Sequence, residues 1–293
     1  MTVVGTRPEI IRLSRVIRRL DDELDHRLVH TGQNWDPLLS DVFFSELGVR
    51  RPDHWLDVPV TSLGAVLGGV LSAIEPVILE ERPDALLVLG DTNSCISAVM
   101  AKRLGVPVFH MEAGNRCFDE NVPEETNRRM IDHVSDFNLC YTEHARRNLL
   151  AEGLPSRRVF VTGSPMMEVL NAYDDQIEAS DALEQLNLEK DGYFLVSMHR
   201  EENIDDRRNL ETLVSAISSL AKRADRRVVV STHPRLARRL EASPGVEQGS
   251  VEFLAPFGYF DYNKLQRNAR CVLSDSGTIS EEASISGFPA VTI

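Results

Sequence analysis

The chain has 293 residues, 42% of them apolar and 26% charged, with a formal net charge of −13. That balance is globular rather than disordered, and the acidic excess argues against a nucleic-acid partner, which would want a basic face. The length exceeds the size at which single cores usually stop growing, so two domains are expected.

Met1–Val4 reads as a short strand running into Gly5-Thr6-Arg7-Pro8-Glu9, with Pro8 suited to a first helical turn. Ile10, Leu13, Val16, Ile17 and Leu20 follow at helical spacing, with arginines on the other face. A strand over 26–30 ends at Thr31-Gly32-Gln33-Asn34. Stretches 38–47 and 63–81 read as helices, the second apolar enough to be largely buried. The unit then repeats as strand 85–89, helix 93–104, strand 106–111, helix 124–133, strand 136–141, helix 143–152 and strand 158–161. A helical run over 166–174 leads into an acidic, weakly apolar stretch, 173–191, that reads as an inter-domain passage. Beyond it come strand 193–198, helix 207–223, strand 226–232, helix 234–242, strand 251–254, helix 260–269, strand 271–274, helix 278–286 and strand 289–293. No covering helix follows the last strand.

Strands alternating with helices indicate βαβ units. The expected fold is therefore α/β: two Rossmann-like, doubly wound parallel sheets, residues 1–164 and 165–293, facing across a cleft, with the second incomplete at its C-terminus. No apolar run approaches the roughly 20 residues of a membrane span and no secretory leader is visible, so a cytoplasmic protein without a membrane partner is expected. Cys95, Cys117, Cys140 and Cys271 form no C-x-x-C pair and the eight histidines do not cluster with them. Reduced buried thiols are the expectation, with no metal site.

In a parallel sheet the carboxyl ends of the strands face the ligand crevice, and here those ends are polar. Gly5-Thr6-Arg7 could hold an anion on a helix N-terminus, although as a lone motif it reads better as a plain βα turn. Asp91 alone reads better as a helix N-cap. Glu112 ends a β-rich run with no capping task. Glu124 and Glu125 open a helix, and Arg128 and Arg129 one turn later could pair with them or with a ligand. Ser197-Met198-His199-Arg200 and Ser231-Thr232-His233-Pro234-Arg235 end strands of the second half, where a phosphate could accept from His199 and Arg200. In Ser274-Asp275-Ser276-Gly277-Thr278, the amides of Ser276, Gly277 and Thr278 suit a pyrophosphate, with Glu282 placed for ribose hydroxyls.

Taken together, GTRPE (5–9), GDT (90–92), EAG (112–114), PEETNRR (123–129), HREEN (199–203) and DSGTISEEAS (275–284) resemble one family from Gly5 to Ile293: the non-hydrolysing UDP-N-acetylglucosamine 2-epimerases, whose fold is that of GT-B glycosyltransferases. The resemblance implies reversible inversion at C2 of a UDP-2-acetamido sugar. UDP is eliminated to leave a 2-acetamidoglucal and then adds back, with no metal or redox cofactor. Position by position it implies Asp91, Glu112 and Glu124 as acid/base groups and His199 as the active-site histidine. It also implies Arg7 as a diphosphate contact, Ser276 and Gly277 in the phosphate turn, Glu282 at the ribose and Tyr262 near uracil. Arg12, Gln33, Arg128 and Thr278 complete the expected substrate contacts.

Several departures from the family pattern stand out. Arg12 replaces a frequent lysine, which keeps charge but changes geometry. The loop between Glu112 and Glu124 looks short. HREEN, DYNKLQRNA (261–269) and SDSGTI (274–279) look more like the branch acting on 2-acetamido-2,6-dideoxyhexoses, which makes UDP-N-acetyl-L-fucosamine. The family's Thr-Glu-Arg-Pro-Glu segment, expected after the last strand, is absent. A homodimer is the family's habit. A GT-B glycosyltransferase, a hydrolysing 2-epimerase and a nucleotide-sugar sensor are the competing readings.

Overall fold

The computed structural model describes residues 1–32, 44, 46–241 and 251–293, so the expected helix over 38–47 and Gln33 lie mostly or wholly outside the described residues. The chain divides into two compact units, Met1–Asn171 and Ala172–Ile293.

In the first unit the strands are β1 (Thr2–Val4), β2 (Leu28–His30), β3 (His54–Trp55), β4 (Leu86–Leu89), β5 (Val108–Met111), β6 (Phe137–Cys140) and β7 (Val159–Val161). They form one sheet, ordered β3-β2-β1-β4-β5-β6-β7, with every pairing parallel. Its helices are α1 (Arg7–Glu23), α2 (Leu63–Glu81), α3 (Ser97–Arg103, entered through a 3-10 turn at Asn93–Ile96), α4 (Pro123–Val134), α5 (Glu143–Ala151) and α6 (Met166–Ala172). Apolar spacing makes α1 amphipathic. Ile10, Leu13 and Ile17 are buried, and each such side chain contributes about 1.5–3 kcal/mol on leaving water. Pro8 sits in the first turn, where its missing N–H costs nothing.

The second unit opens with α7 (Asp174–Glu178) and α8 (Ala182–Gln185). It continues through β8 (Tyr193–Met198), α9 (Glu201–Ile204), α10 (Arg207–Ala224), β9 (Arg227–Thr232) and α11 (Pro234–Glu241). The last elements are β10 (Val251–Leu254), α12 (Tyr259–Asn268), β11 (Cys271–Ser274), α13 (Ile279–Ser286) and β12 (Ala290–Thr292). Its sheet runs β10-β9-β8-β11-β12, again parallel throughout.

Chain order reverses between β1 and β4 in one sheet and between β8 and β11 in the other. Such a switch point opens a crevice at the carboxyl ends of the two strands, and ligands of open α/β sheets bind there.

Three expectations are corrected. Helix α2 is not largely buried: Val70, Ile74 and Ile78 are its buried residues, while Leu63 and Leu79 are 64% and 56% exposed. A helix laid on one sheet face covers a single stripe, here at four-residue spacing, whatever its remaining composition. By length and apolar content α2 is also the one helix among the described residues that could cross a membrane, against the reading that no run comes near that length. Stretch 173–191 is not a passage between the units but part of the second. Ile177 is fully buried, and Ala182 and Leu188 join the core around Tyr193, Leu195 and Leu265. Lys264 and Arg267 of α12 pair with Glu178 and Asp174, closing the segment onto the second unit.

Candidate active site

The first cluster lies at the β1/β4 switch point and one strand beyond. Gly5, after β1, is required by close approach: a Cβ there would stand 2.4 Å from Thr31 Oγ1 and 2.9 Å from Ser94 Cβ. Its N–H donates to buried Glu9 Oε2 at 3.0 Å, Thr6 Oγ1 donates to the same oxygen at 2.8 Å, and Ser94 Oγ donates to Glu9 Oε1. Glu9 thereby ties the turn that carries Arg7 to the turn that follows β4. Burial raises the Glu9 carboxyl above its ordinary range, with these donors opposing.

Strands β4 and β5 are paired from Leu86↔Val108 to Leu89↔Met111, so Gly90-Asp91 and Glu112 leave the sheet side by side. Asp91 does not cap the following helix. The cap position belongs to Thr92 and carries no side-chain cap bond, whereas Asp91 Oδ2 accepts from Arg128 Nε at 3.0 Å and Nη2 at 2.6 Å. Glu112 Oε2 pairs with Arg12 Nη1, and Glu112 Oε1 accepts from Asn115 Nδ2 at 3.3 Å. The Arg12 guanidinium also stands 5.8 Å from the centre of the Tyr141 ring. Both carboxylates thus have an arginine partner.

Of the acid pair opening α4, Glu125 turns in and Glu124 turns out. Glu125 is buried and accepts from Cys117 N at 3.1 Å, Arg128 Nη1 at 3.2 Å and Arg129 Nε at 3.1 Å. Burial works to raise its carboxyl, but these donors hold it below its ordinary range. Glu124 is exposed on the first turn. Arg128 bridges Asp91 and Glu125, so α4 is docked on the strand ends by charge.

The second cluster lies at the β8/β11 switch point. His199 and Arg200 follow β8, and Asp275 follows β11. Asp275 was not among the expected site residues, yet it organises the cluster. It accepts from His199 N at 3.1 and 3.0 Å, Arg200 N at 2.9 Å and Asn203 Nδ2 at 3.1 Å. His199 Nδ1 lies 2.9 Å from Asp275 Oδ1, which leaves Nε2 of a half-exposed ring for a ligand. Burial would raise the Asp275 carboxyl, but the His199 side chain and these donors hold it down at about 2. The available signal was an acid directly after a β run, the same signal that marked Asp91 and Glu112.

Beyond Asp275, Ser276 Oγ accepts from Thr278 N at 3.3 Å and lies 2.9 Å from Thr278 Oγ1. Thr278 Oγ1 donates to Glu282 Oε1 at 2.6 Å, and Gln266 Nε2 donates to Glu282 Oε2 at 3.0 Å. A Cβ on Gly277 would stand 3.8 Å from Arg200 Nη2, so a guanidinium flanks this turn at the N-terminus of α13. Those features suit an anion with several oxygens. Tyr262 is half-buried against the second core, and burial, then the Glu282 charge, pushes its hydroxyl up. Among the described residues no group of three His, Cys, Asp or Glu side chains could hold a metal ion.

The family model described as UDP-N-acetylglucosamine 2-epimerase matches residues 18–293. A solved UDP-N-acetylglucosamine 2-epimerase from Rickettsia bellii is 48% identical, with a TM-score of 0.89 over 99% of this chain and 77% of that one. A Methanocaldococcus jannaschii UDP-GlcNAc 2-epimerase, solved in complex with UDP-GlcNAc and UDP, superposes with a TM-score of 0.93 at 35% identity over 99% of this chain and 82% of that one. The UDP-2,3-diacetamido-2,3-dideoxy-D-glucuronate 2-epimerase of Pseudomonas aeruginosa is 35% identical over 298 residues, which is 100% of this chain and 82% of that protein.

Proposed function

The chain belongs to the UDP-N-acetylglucosamine 2-epimerase family, isomerases that invert C2 of UDP-acetamido sugars, and we propose that it works by elimination and re-addition of UDP, with acids of the first unit moving the protons. The observation that carries this reading is the pair of arginine-held carboxylates, Asp91 and Glu112, leaving adjacent strands beside the first switch point.

In the first step one carboxylate takes the C2 proton. The electrons of that C–H bond become the C1–C2 double bond, and the C1–O bond breaks with its pair leaving on UDP. In the return step a UDP oxygen bonds to C1 while a proton reaches C2 on the opposite face. Two faces need two separately held groups, which Asp91 and Glu112 supply, with exposed Glu124 as the third acid. His199, Arg7 and the Ser276–Thr278 turn neutralise the departing diphosphate, Glu282 accepts from ribose hydroxyls, and Tyr262 lies toward the base. Arg128 and Arg12 hold these two carboxylates in place by charge. Gln33 belongs to the same proposed set of substrate contacts.

Proton NMR in heavy water, with UDP-N-acetylglucosamine and its 6-deoxy counterpart as substrates, tests this reading. Deuterium at C2 of both epimers, with traces of glucal and free UDP, is expected, and conversion without exchange would rule the mechanism out. The same assay ranks the two sugars. A homodimer and a cytoplasmic location complete the proposal, checked by sedimentation and by cell fractionation.

A further inference from the structure

Beneath the strand ends of the first unit lies a buried polar system that no step above uses. Asp132, in the last turns of α4, is fully buried, as are His110 of β5 and the Arg116 side chain. Asp132 accepts from the Gly114 amide at 3.1 and 3.3 Å and from Arg116 Nη1 at 2.7 Å. His110 Nδ1 lies 2.9 Å from Asp132 Oδ1, a charge contact outside in-line hydrogen-bond geometry, while His110 Nε2 donates to the Gly90 carbonyl at 2.7 Å. With Nε2 committed as donor, an unprotonated Nδ1 would point a lone pair at a carboxylate, so the ring is better suited as imidazolium. Burial opposes that charge, and Asp132 outweighs burial and raises the ring's pKa.

Gly90 precedes Asp91, and Gly114 follows Glu112 by two residues. Glu112 itself is held at φ 64°, between Gly90 at 74° and Gly114 at 80°. A non-glycine residue in that region costs on the order of 1–3 kcal/mol and persists only where its surroundings enforce it. The same helix reaches Asp91 again through Asn127 Nδ2, which donates to the Asp91 carbonyl at 2.9 Å.

We propose that Asp132, acting directly on the Gly114 amide and through His110 on the Gly90 carbonyl, is the positioning residue that fixes the two proton-transfer carboxylates relative to each other. It touches neither substrate nor reacting atom. This rests on the functional reading above, because it needs Asp91 and Glu112 to be the acids concerned.

The test compares Asp132→Asn, His110→Ala, His110→Gln and Ile131→Ala in the full chain. Measurements are kcat, KM for UDP-N-acetylglucosamine, C2 deuterium exchange and the melting temperature. Ile131 is fully buried in the same helix and holds neither turn, so it controls for lost packing. Asp132→Asn and His110→Ala should lower kcat and C2 exchange together, by about 100-fold, as displacement of a reacting group by about 1 Å does, with KM little moved. His110→Gln, which can still donate to the Gly90 carbonyl, should recover part of the loss. Ile131→Ala should melt at least as early and keep wild-type kcat. The inference is overturned if kcat simply follows melting temperature across all four variants, or if the loss appears in KM. A wild type that exchanges no C2 proton overturns the functional reading instead.

Discussion

Replacing Asp275 by Asn would show how far one buried carboxylate holds the second cluster together. The side chain is fully shielded and accepts from four donors on His199, Arg200 and Asn203. Its carboxyl stands at about 2 against an ordinary 3.8. A shift of that size corresponds to about 2 kcal/mol at 1.36 kcal/mol per unit. The folded-state value is the depressed one, so this stability is present above about pH 4 and drains away as pH falls toward about 2. Asn also turns a donor toward donors, which adds roughly 1 kcal/mol, for a total of about 3 kcal/mol near neutrality. Melting should therefore fall by about 10 °C at pH 7, and kcat should drop as His199 loses its anchor. Denaturant titrations of both proteins between pH 4.5 and 2.5 provide the check. The gap between wild type and variant should narrow from about 3 to about 2 kcal/mol across that range. A gap that stays constant across that range, or is missing at pH 7, refutes the account of Asp275.

Gly114→Ala forces a Cβ to within 2.3 Å of the Ala145 carbonyl oxygen at φ 80°, and a loss of at least about 3 kcal/mol is expected in urea denaturation. Arg128→Met strips Asp91 of its charge partner and should slow C2 exchange by about 10- to 100-fold; unchanged exchange would remove Arg128 from the mechanism. Glu282→Ala should raise KM about tenfold, near 1.4 kcal/mol, with kcat close to wild type in steady-state assays. Thiol titration at pH 8 should modify exposed Cys117 first. Cys95 and Cys140 should react only on unfolding, because burial pushes the Cys140 thiol up to about 12 and shields both.

Much of the α/β rhythm was legible because each buried strand is a short apolar run ending abruptly in polar residues. Strand β3 escaped notice because two residues, His54 and Trp55, carry no periodicity. The helices between 174 and 185 escaped because each contributes one buried apolar residue, Ile177 or Ala182, to an otherwise acidic surface. Uniform apolarity in α2 misled in the other direction, since composition cannot report how much of a helix meets the sheet.

At the site, strand-end acids were the readable signal, and Asp275 carries it as plainly as Asp91 does. Asp132, His110 and Glu9 could not be found that way. Their partners are Gly114, Gly90 and Ser94, up to 85 positions distant along the chain, and an isolated polar residue inside an apolar stretch does not name what it bonds. Which member of the Glu124–Glu125 pair turns inward was likewise decided by Cys117, Arg128 and Arg129, not by local pattern.

Asn115, Arg116 and Cys117 tether the start of the loop after β5 to Glu112, Asp132 and Glu125. Beyond them, Phe118 stands 74% exposed at φ 58°, and Asp119 and Asn121 bond each other. Because the site acids take their donors from 115–117, residues 118–122 can be rewritten in chemistry with the least disturbance to the acids beside them. Divergence toward new sugars within such a scaffold would find its cheapest substitutions there, and directed libraries confined to those five positions would sample acceptance of ring substituents while leaving turnover intact.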